Sequence, residues 1–251
     1  MSAVVSIIRR ELQAYFVSPI AYTVIVTFLI VASFGFQYSL FSYASTSEFR
    51  LEGNQASIRT VIVSGSVLWM MVGLIFSLPA LSMRLFSEEK KSGTAELLLT
   101  SPITTTQLVL GKWLGSVAVM TLMLALTGPF SVILEWHGNP EWQALGIAYL
   151  GLFLYGGLIL AIGTFASALT ENQIVALLLT FAMFVPFWMM ELLVGFVGGV
   201  ADDVLASVSI NHGLRMLGAG LLNSHYVVVF AALTFVFLFL CVQVLDSNRW
   251  R

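Results

Sequence analysis

Few side chains in this sequence could do chemistry, and their spacing argues against most of it. The densest polar run is Arg84-Leu-Phe-Ser-Glu-Glu-Lys-Lys-Ser-Gly-Thr-Ala-Glu-Leu-Leu-Leu-Thr-Ser-Pro102. Its charges alternate in sign and lead into leucines, which suits contact with a partner in water better than catalysis. Gly111-Lys112 is followed by Trp113, and no glycine stands five residues before Gly111. The chain therefore has no phosphate-cradling loop of the Gly-x-x-x-x-Gly-Lys-Ser/Thr type. His137, His212 and His225 are dispersed and Cys241 is the single cysteine. Neither a zinc site nor a disulfide is expected. No Ser/His/Asp set, paired carboxylates or His-Glu-x-x-His motif stands out, and no basic footprint marks nucleic-acid binding. No catalytic residue, metal ligand or cofactor site is assigned to the chain.

What must position these residues is a membrane domain. The 251 residues are 59% hydrophobic and 10% charged, with mean hydropathy +0.95. A soluble domain carries about 25% charged residues. The pattern predicts an all-α polytopic membrane protein in one domain over 1–251, with no soluble domain. Spans are expected at about 20–40, 61–81, 108–134, 145–169, 174–194 and 226–245, each long enough to cross hydrocarbon. Residues 42–60 read as a polar loop and 82–107 as a charged one. Residues 195–225, rich in glycine, are too polar to span and apolar enough to lie at the interface.

The first residues are not a span. Val4, Val5, Ile8, Leu12, Tyr15 and Phe16 recur at helical spacing, with Ser6, Arg9, Arg10 and Gln13 opposite. An interfacial amphipathic helix over about 4–18 follows, its arginines toward anionic headgroups and Pro19 turning the chain into the bilayer. No small-residue cleavage site follows, so a signal peptide is not expected.

Within the charged loop, Glu88, Glu89, Lys90 and Lys91 are spaced to pair along one helix. Gly93 breaks it. Thr94 caps a short helix carrying Glu96, Leu97 and Leu98, with Ser101-Pro102 as its stop. Thr104-Thr105-Thr106 caps a third helix that carries Lys112 into the membrane. Lysines and arginines set the orientation. Arg9, Arg10, Arg84, Lys90, Lys91, Lys112, Arg249 and Arg251 share one side, against Arg50, Arg59 and Arg215 on the other. Both termini and the charged loop are expected in the cytoplasm.

Arg84-x3-Glu88-Glu89-Lys90-Lys91-x-Gly93-Thr94-x-Glu96-Leu97-Leu98-x2-Ser101-Pro102, followed by Leu108-x2-Gly111-Lys112, resembles the first cytoplasmic loop of type-2 ABC exporter permeases. Arg10-Glu11-Leu12-x2-Tyr15-Phe16-x-Ser18-Pro19-Ile20-Ala21-Tyr22 resembles the gliding-motility-type (GldF-like) branch. Thr170-Glu-Asn-Gln173 and the tail Ser247-Asn-Arg-Trp250 agree with it, whereas 195–225 departs from its pattern. The resemblance implies an elbow helix (Arg9, Arg10, Tyr15, Phe16, Pro19) and a coupling helix over Glu88–Ser101 that docks on a cytoplasmic ABC ATPase dimer. ATP and Mg would be bound by that ATPase. It also implies a second permease copy or paralogue, membrane lipid contact, a bacterial inner-membrane location and room for a periplasmic auxiliary protein. In the resembling family the second and fifth spans face the dimer axis. Phe181, Phe184, Trp188 and Glu191, which share a helical face, would then line a substrate path with Trp69. Alternatively, the aromatics face lipid and Glu191 marks the interface. Two functions stay open: a permease of an ATP-driven exporter, and a non-transporting anchor that transmits ATPase motion to an envelope or motility complex. An ion-coupled transporter is weaker, because Glu191 alone is a candidate midplane charge.

Overall fold

The computed structural model describes residues 3–47, 58–93, 103–138, 142–194, 198 and 200–249. Among them lie eleven helices and no strand: α1 (Ala3–Val17), α2 (Pro19–Ser47), α3 (Ile58–Ser82), α4 (Arg84–Lys91), α5 (Thr105–Ala125), α6 (Gly128–Gly138), α7 (Trp142–Leu169), α8 (Gln173–Leu193), α9 (Val200–Val208), α10 (Ile210–Gly218) and α11 (Ser224–Arg249). Six stretches are long and apolar enough to cross a membrane: Pro19–Ser42, Gly65–Lys91, Thr105–Ile133, Trp142–Leu169, Gln173–Leu193 and Ser224–Ser247. This is the all-α polytopic class expected from composition. Helices are the natural solution because each satisfies its own backbone polar groups where water is absent.

α7 is the central post. Every residue from Tyr155 to Thr164 is buried, and the helix packs against α3, α5, α8, α10 and α11. Small residues let the neighbours approach: Gly151 lies against Leu217, Gly156 against Met120 and Leu78, and Gly163 against Ser82. Gly146, on the same helix, has no such neighbour. The outer faces of α2, α8 and α11 keep Ile30, Phe34, Leu178, Leu192 and Phe235 exposed, as a surface bathed in hydrocarbon allows.

Two local outcomes differ from the sequence expectation, and a third supplies elements where none was assigned. α2 runs on to Ser47, where a loop from 42 was expected, because a long apolar helix propagates through serine and threonine at little cost. The third span is broken at Leu126–Thr127 into α5 and α6. Pro129 has no N–H to offer the Ala125 carbonyl and its ring crowds that position. The Thr127 hydroxyl donates to Leu124 O at 2.6 Å, so Tyr149 supplies the proton of their 2.8 Å contact. Within residues 195–225 the chain forms α9 and α10. Ser209 caps α10 by accepting the His212 N–H at 3.3 Å, and Ile210, Leu214 and Leu217 are buried.

Candidate functional site

The charged run begins inside the bundle. Met83 separates α3 from α4 yet keeps helical angles (φ −55°, ψ −29°), so α4 prolongs the second span. The expected loop from residue 82 is corrected accordingly: Ser82, Leu85, Phe86 and Ser87 are all buried. Backbone groups freed at the joint find hydroxyl partners. Ser167 Oγ, in the last turn of α7, accepts the Phe86 and Ser87 N–H groups at 2.7 and 3.1 Å. The Ser82 hydroxyl donates to Leu78 O at 3.0 Å, and the Ser87 hydroxyl donates to Met83 O. The two Ser167 bonds fasten α4 to α7, because buried N–H groups left unpaired would cost about 1–3 kcal/mol each.

Lys90 Nζ adds another tie, donating to Ala168 O at 2.5 Å. α4 stops where expected: Ser92 N–H returns to Glu88 O at 3.0 Å and Gly93 N–H to Lys90 O at 3.2 Å. Gly93 takes φ +70°, the left-handed closing position that glycine occupies without strain. Glu88, Lys91, Ser92 and Gly93 are exposed at this end. Thr94, Glu96, Leu97, Leu98, Ser101 and Pro102 lie outside the described residues. The expected pairing of Glu88 through Lys91 along one helix is superseded for two of its members. Glu89 and Lys90 point inward to partners on other helices.

Glu89 belongs to a buried ion cluster. Lys112 Nζ, on a side chain 2% exposed, lies 2.8 Å from Glu89 Oε1 and 2.9 Å from Glu11 Oε1. It also donates to Leu85 O at 2.7 Å, so all three ammonium protons are used. Arg10 closes the cluster from the rim, 3.0 Å from Glu89 and 3.3 Å from Glu11. Two cations and two carboxylates balance. The cluster joins α1, α4 and α5, and its desolvation makes it a device of position more than of stability.

α1 fits this arrangement by a stripe that pure apolar spacing did not show. Ile7, Glu11 and Tyr15 are its buried residues, whereas Val5 and Phe16 are exposed. Glu11 is buried because Lys112 meets it. The close approach needs glycine on α5: a Cβ at Gly111 would fall 2.7 Å from Ile7 Cγ2, and one at Gly115 2.9 Å from Glu11 Cβ. The Tyr15 hydroxyl donates to Leu81 O at 3.1 Å, and the Arg84 guanidinium sits 4.3 Å from the Tyr15 ring centroid. Burial first, then the Glu11 charge, pushes the Tyr15 phenol above its ordinary range. Arg9 stays exposed, and Pro19 opens α2 as its first residue.

α5 enters the same cluster from a firm start. Thr104 and Gln107 form a capping box, with the Gln107 N–H 3.3 Å from Thr104 Oγ1. The Thr105 hydroxyl donates to Asp246 Oδ1 at 2.5 Å, which ties in the end of α11. Lys112 and Glu11 were counted in the sequence only for orientation and motif. The signal that could have found them is general: a lysine carried into an apolar span needs a carboxylate within reach.

The path residues do not converge on one open route within the chain. Phe184 is buried edge-to-face against Tyr155 (centroids 5.7 Å apart). Phe181 meets Phe76 at 6.0 Å. Trp69 packs on Phe34 and Tyr38 of α2 at 5.4 and 6.0 Å. Trp188 is partly exposed. Glu191, taken above as a lone charge, pairs with Arg215 and accepts from Asn211 Nδ2, both on α10. Among the described residues no group of three or more His, Cys, Asp or Glu could hold a metal ion.

The family model described as ABC-2 family transporter protein matches residues 5–245, from within α1 to within α11. The chain belongs to the ABC-2 transporter family. No curated relative matches it. As an ABC-2 family member it is a multi-pass permease subunit, a membrane component of transport rather than a catalytic enzyme. The matched region contains every residue of the ion cluster.

Proposed function

We propose that this ABC-2 permease is driven by a separate cytoplasmic ABC ATPase docking on residues 84–102, and that α4 passes the motion to the spans. The observation that carries this reading is the triple attachment of α4. Glu89 reaches Lys112 on α5 and Arg10 on α1, Arg84 lies over Tyr15 on α1, and Phe86, Ser87 and Lys90 are bonded to the end of α7. A push on α4 moves all three elements together, since packed helices shift as rigid bodies. Glu88 and Lys91 remain outward, free to set register on a partner. Arg84, Glu89 and Lys90 serve transmission instead.

In this account two permeases, identical or paralogous, pair in the bacterial inner membrane. Both termini and α4 face the cytoplasm, and the ATPase dimer binds ATP and Mg. The subunit works as an exporter of the gliding-motility type, and the α3 and α8 faces bearing Trp69, Phe181, Trp188 and Glu191 border its substrate route. The sequence resemblance and the one-sided lysines and arginines support these points. The test is co-purification from the native membrane. The wild-type chain should bring down an ABC ATPase and stimulate its hydrolysis, and Leu98→Asp or Glu96→Lys should abolish both. Survival of binding in both variants refutes the docking reading.

A further inference from the structure

The end of the bundle remote from α4 carries a second built feature. α10 lies against α3, and where Gly218 meets Val67 the contact is tight: a Cβ on Gly218 would fall 3.0 Å from Val67 Cγ1. Beside that contact a cavity of about 300 Å³ opens, lined by Gly65, Val67, Leu68, Met71, Leu214 and Arg215 with Gly218. The volume is at the small end for ligand pockets. Apart from Arg215 the lining is apolar. Leu68 at the rim is 48% exposed, so the slot is continuous with the outer surface of the spans. Its rim residue Leu68 lies 21 residues up α3–α4 from Glu89, or about 30 Å at helical rise, and so at the level of the opposite leaflet.

Arg215 gives the slot a polar end. Its side chain is 59% exposed even though it pairs with Glu191, and Glu191 is also held by Asn211. A guanidinium has five N–H donors. One carboxylate cannot take them all, and the fork geometry matches a phosphate oxygen pair. An apolar slot capped by a partly free guanidinium is complementary to an amphiphile with a phosphate head.

We propose that this slot binds one phospholipid of the distal leaflet, an acyl chain between α3 and α10 and the phosphate on Arg215. The medium that surrounds six apolar spans consists of such molecules, so the occupant is present at high local concentration. Glu191 orients Arg215 across the mouth, and lipid retention on the slot is read without the ATPase or transport.

The experiment is native mass spectrometry of the full-length protein in detergent, titrated with a palmitoyl-oleoyl phosphatidylglycerol and, separately, with glycerol phosphate and inorganic phosphate. Wild type should retain one lipid per chain and neither soluble phosphate. Arg215→Gln should weaken retention about tenfold, the loss of one charge-assisted contact, and Arg215→Lys should weaken it less. Leu68→Trp, which fills the rim without touching the polar end, should also displace the lipid. Undiminished retention in both Arg215→Gln and Leu68→Trp overturns the proposal. So does binding of free phosphate without lipid. A Leu68→Cys variant that forms a disulfide dimer in native membranes also overturns it, by placing a second copy in the slot.

Discussion

Replacing Lys112 with methionine removes the centre of the buried ion cluster while keeping its volume. Its ammonium holds Glu11 and Glu89 at 2.9 and 2.8 Å on a side chain 2% exposed. Their side chains are 12% and 18% exposed. Without Lys112 the two carboxylates face each other across a desolvated gap. Breaking one partner out of a buried pair costs about 3–5 kcal/mol. Arg10 still bridges both carboxylates from the rim, so a loss near 3 kcal/mol is expected in this case. Arg10→Ala removes only that half-exposed cation and should cost about 0–1 kcal/mol. The triple variant Glu11→Gln, Glu89→Gln, Lys112→Met removes charge on both sides and should recover most of the loss. Equilibrium unfolding of the purified protein in mixed micelles, followed by far-ultraviolet circular dichroism, measures all three. If Lys112→Met is no worse than Arg10→Ala, the cluster is not desolvated as described.

Ser167→Ala should cost about 2 kcal/mol by the same assay, because it strips two buried N–H groups of α4 of their acceptor, and it should free α4 for faster amide exchange. Gly115→Leu should destabilise by about 1–3 kcal/mol through overpacking against Glu11, with increased protease access at α1. Tyr15→Phe frees the Leu81 carbonyl and should cost about 1 kcal/mol. It should also change the alkaline response. The Tyr15 phenol is raised when folded, so its contribution is full below the unfolded phenol value of about 10 and is lost as pH rises through the folded value. Tyr15→Phe should remove that part of the alkaline loss in stability-versus-pH curves.

What was legible in the sequence is what local chemistry decides. Gly93 as the stop of α4 and Thr104 as the cap of α5 each depend on bonds spanning a few residues, and both follow from residue type. The six spans follow from hydropathy in the same way. The break before Pro129 follows from the proline rule, which the continuous apolar run over 108–134 masks. Glu11, Lys112 and Ser167 were another matter. Their partners lie 101, 23 and about 80 residues away, counting Glu89 to Lys112 as the 23. Periodicity within one helix cannot see such pairs. The apolar stripe drawn on α1 missed Glu11 because a carboxylate is normally placed on the wet face. Glu191 likewise stood alone until α10 brought Arg215 and Asn211 to it.

A separate ATPase should engage the exposed end of α4. Photo-crosslinking tests it most directly, with a photoreactive side chain placed at Lys91, at Glu88, or at the exposed Leu222 of the opposite end, in membranes that hydrolyse ATP. An adduct with the ATPase is expected from positions 88 and 91 and none from 222. No adduct from either α4 position, or an adduct from 222, would contradict it.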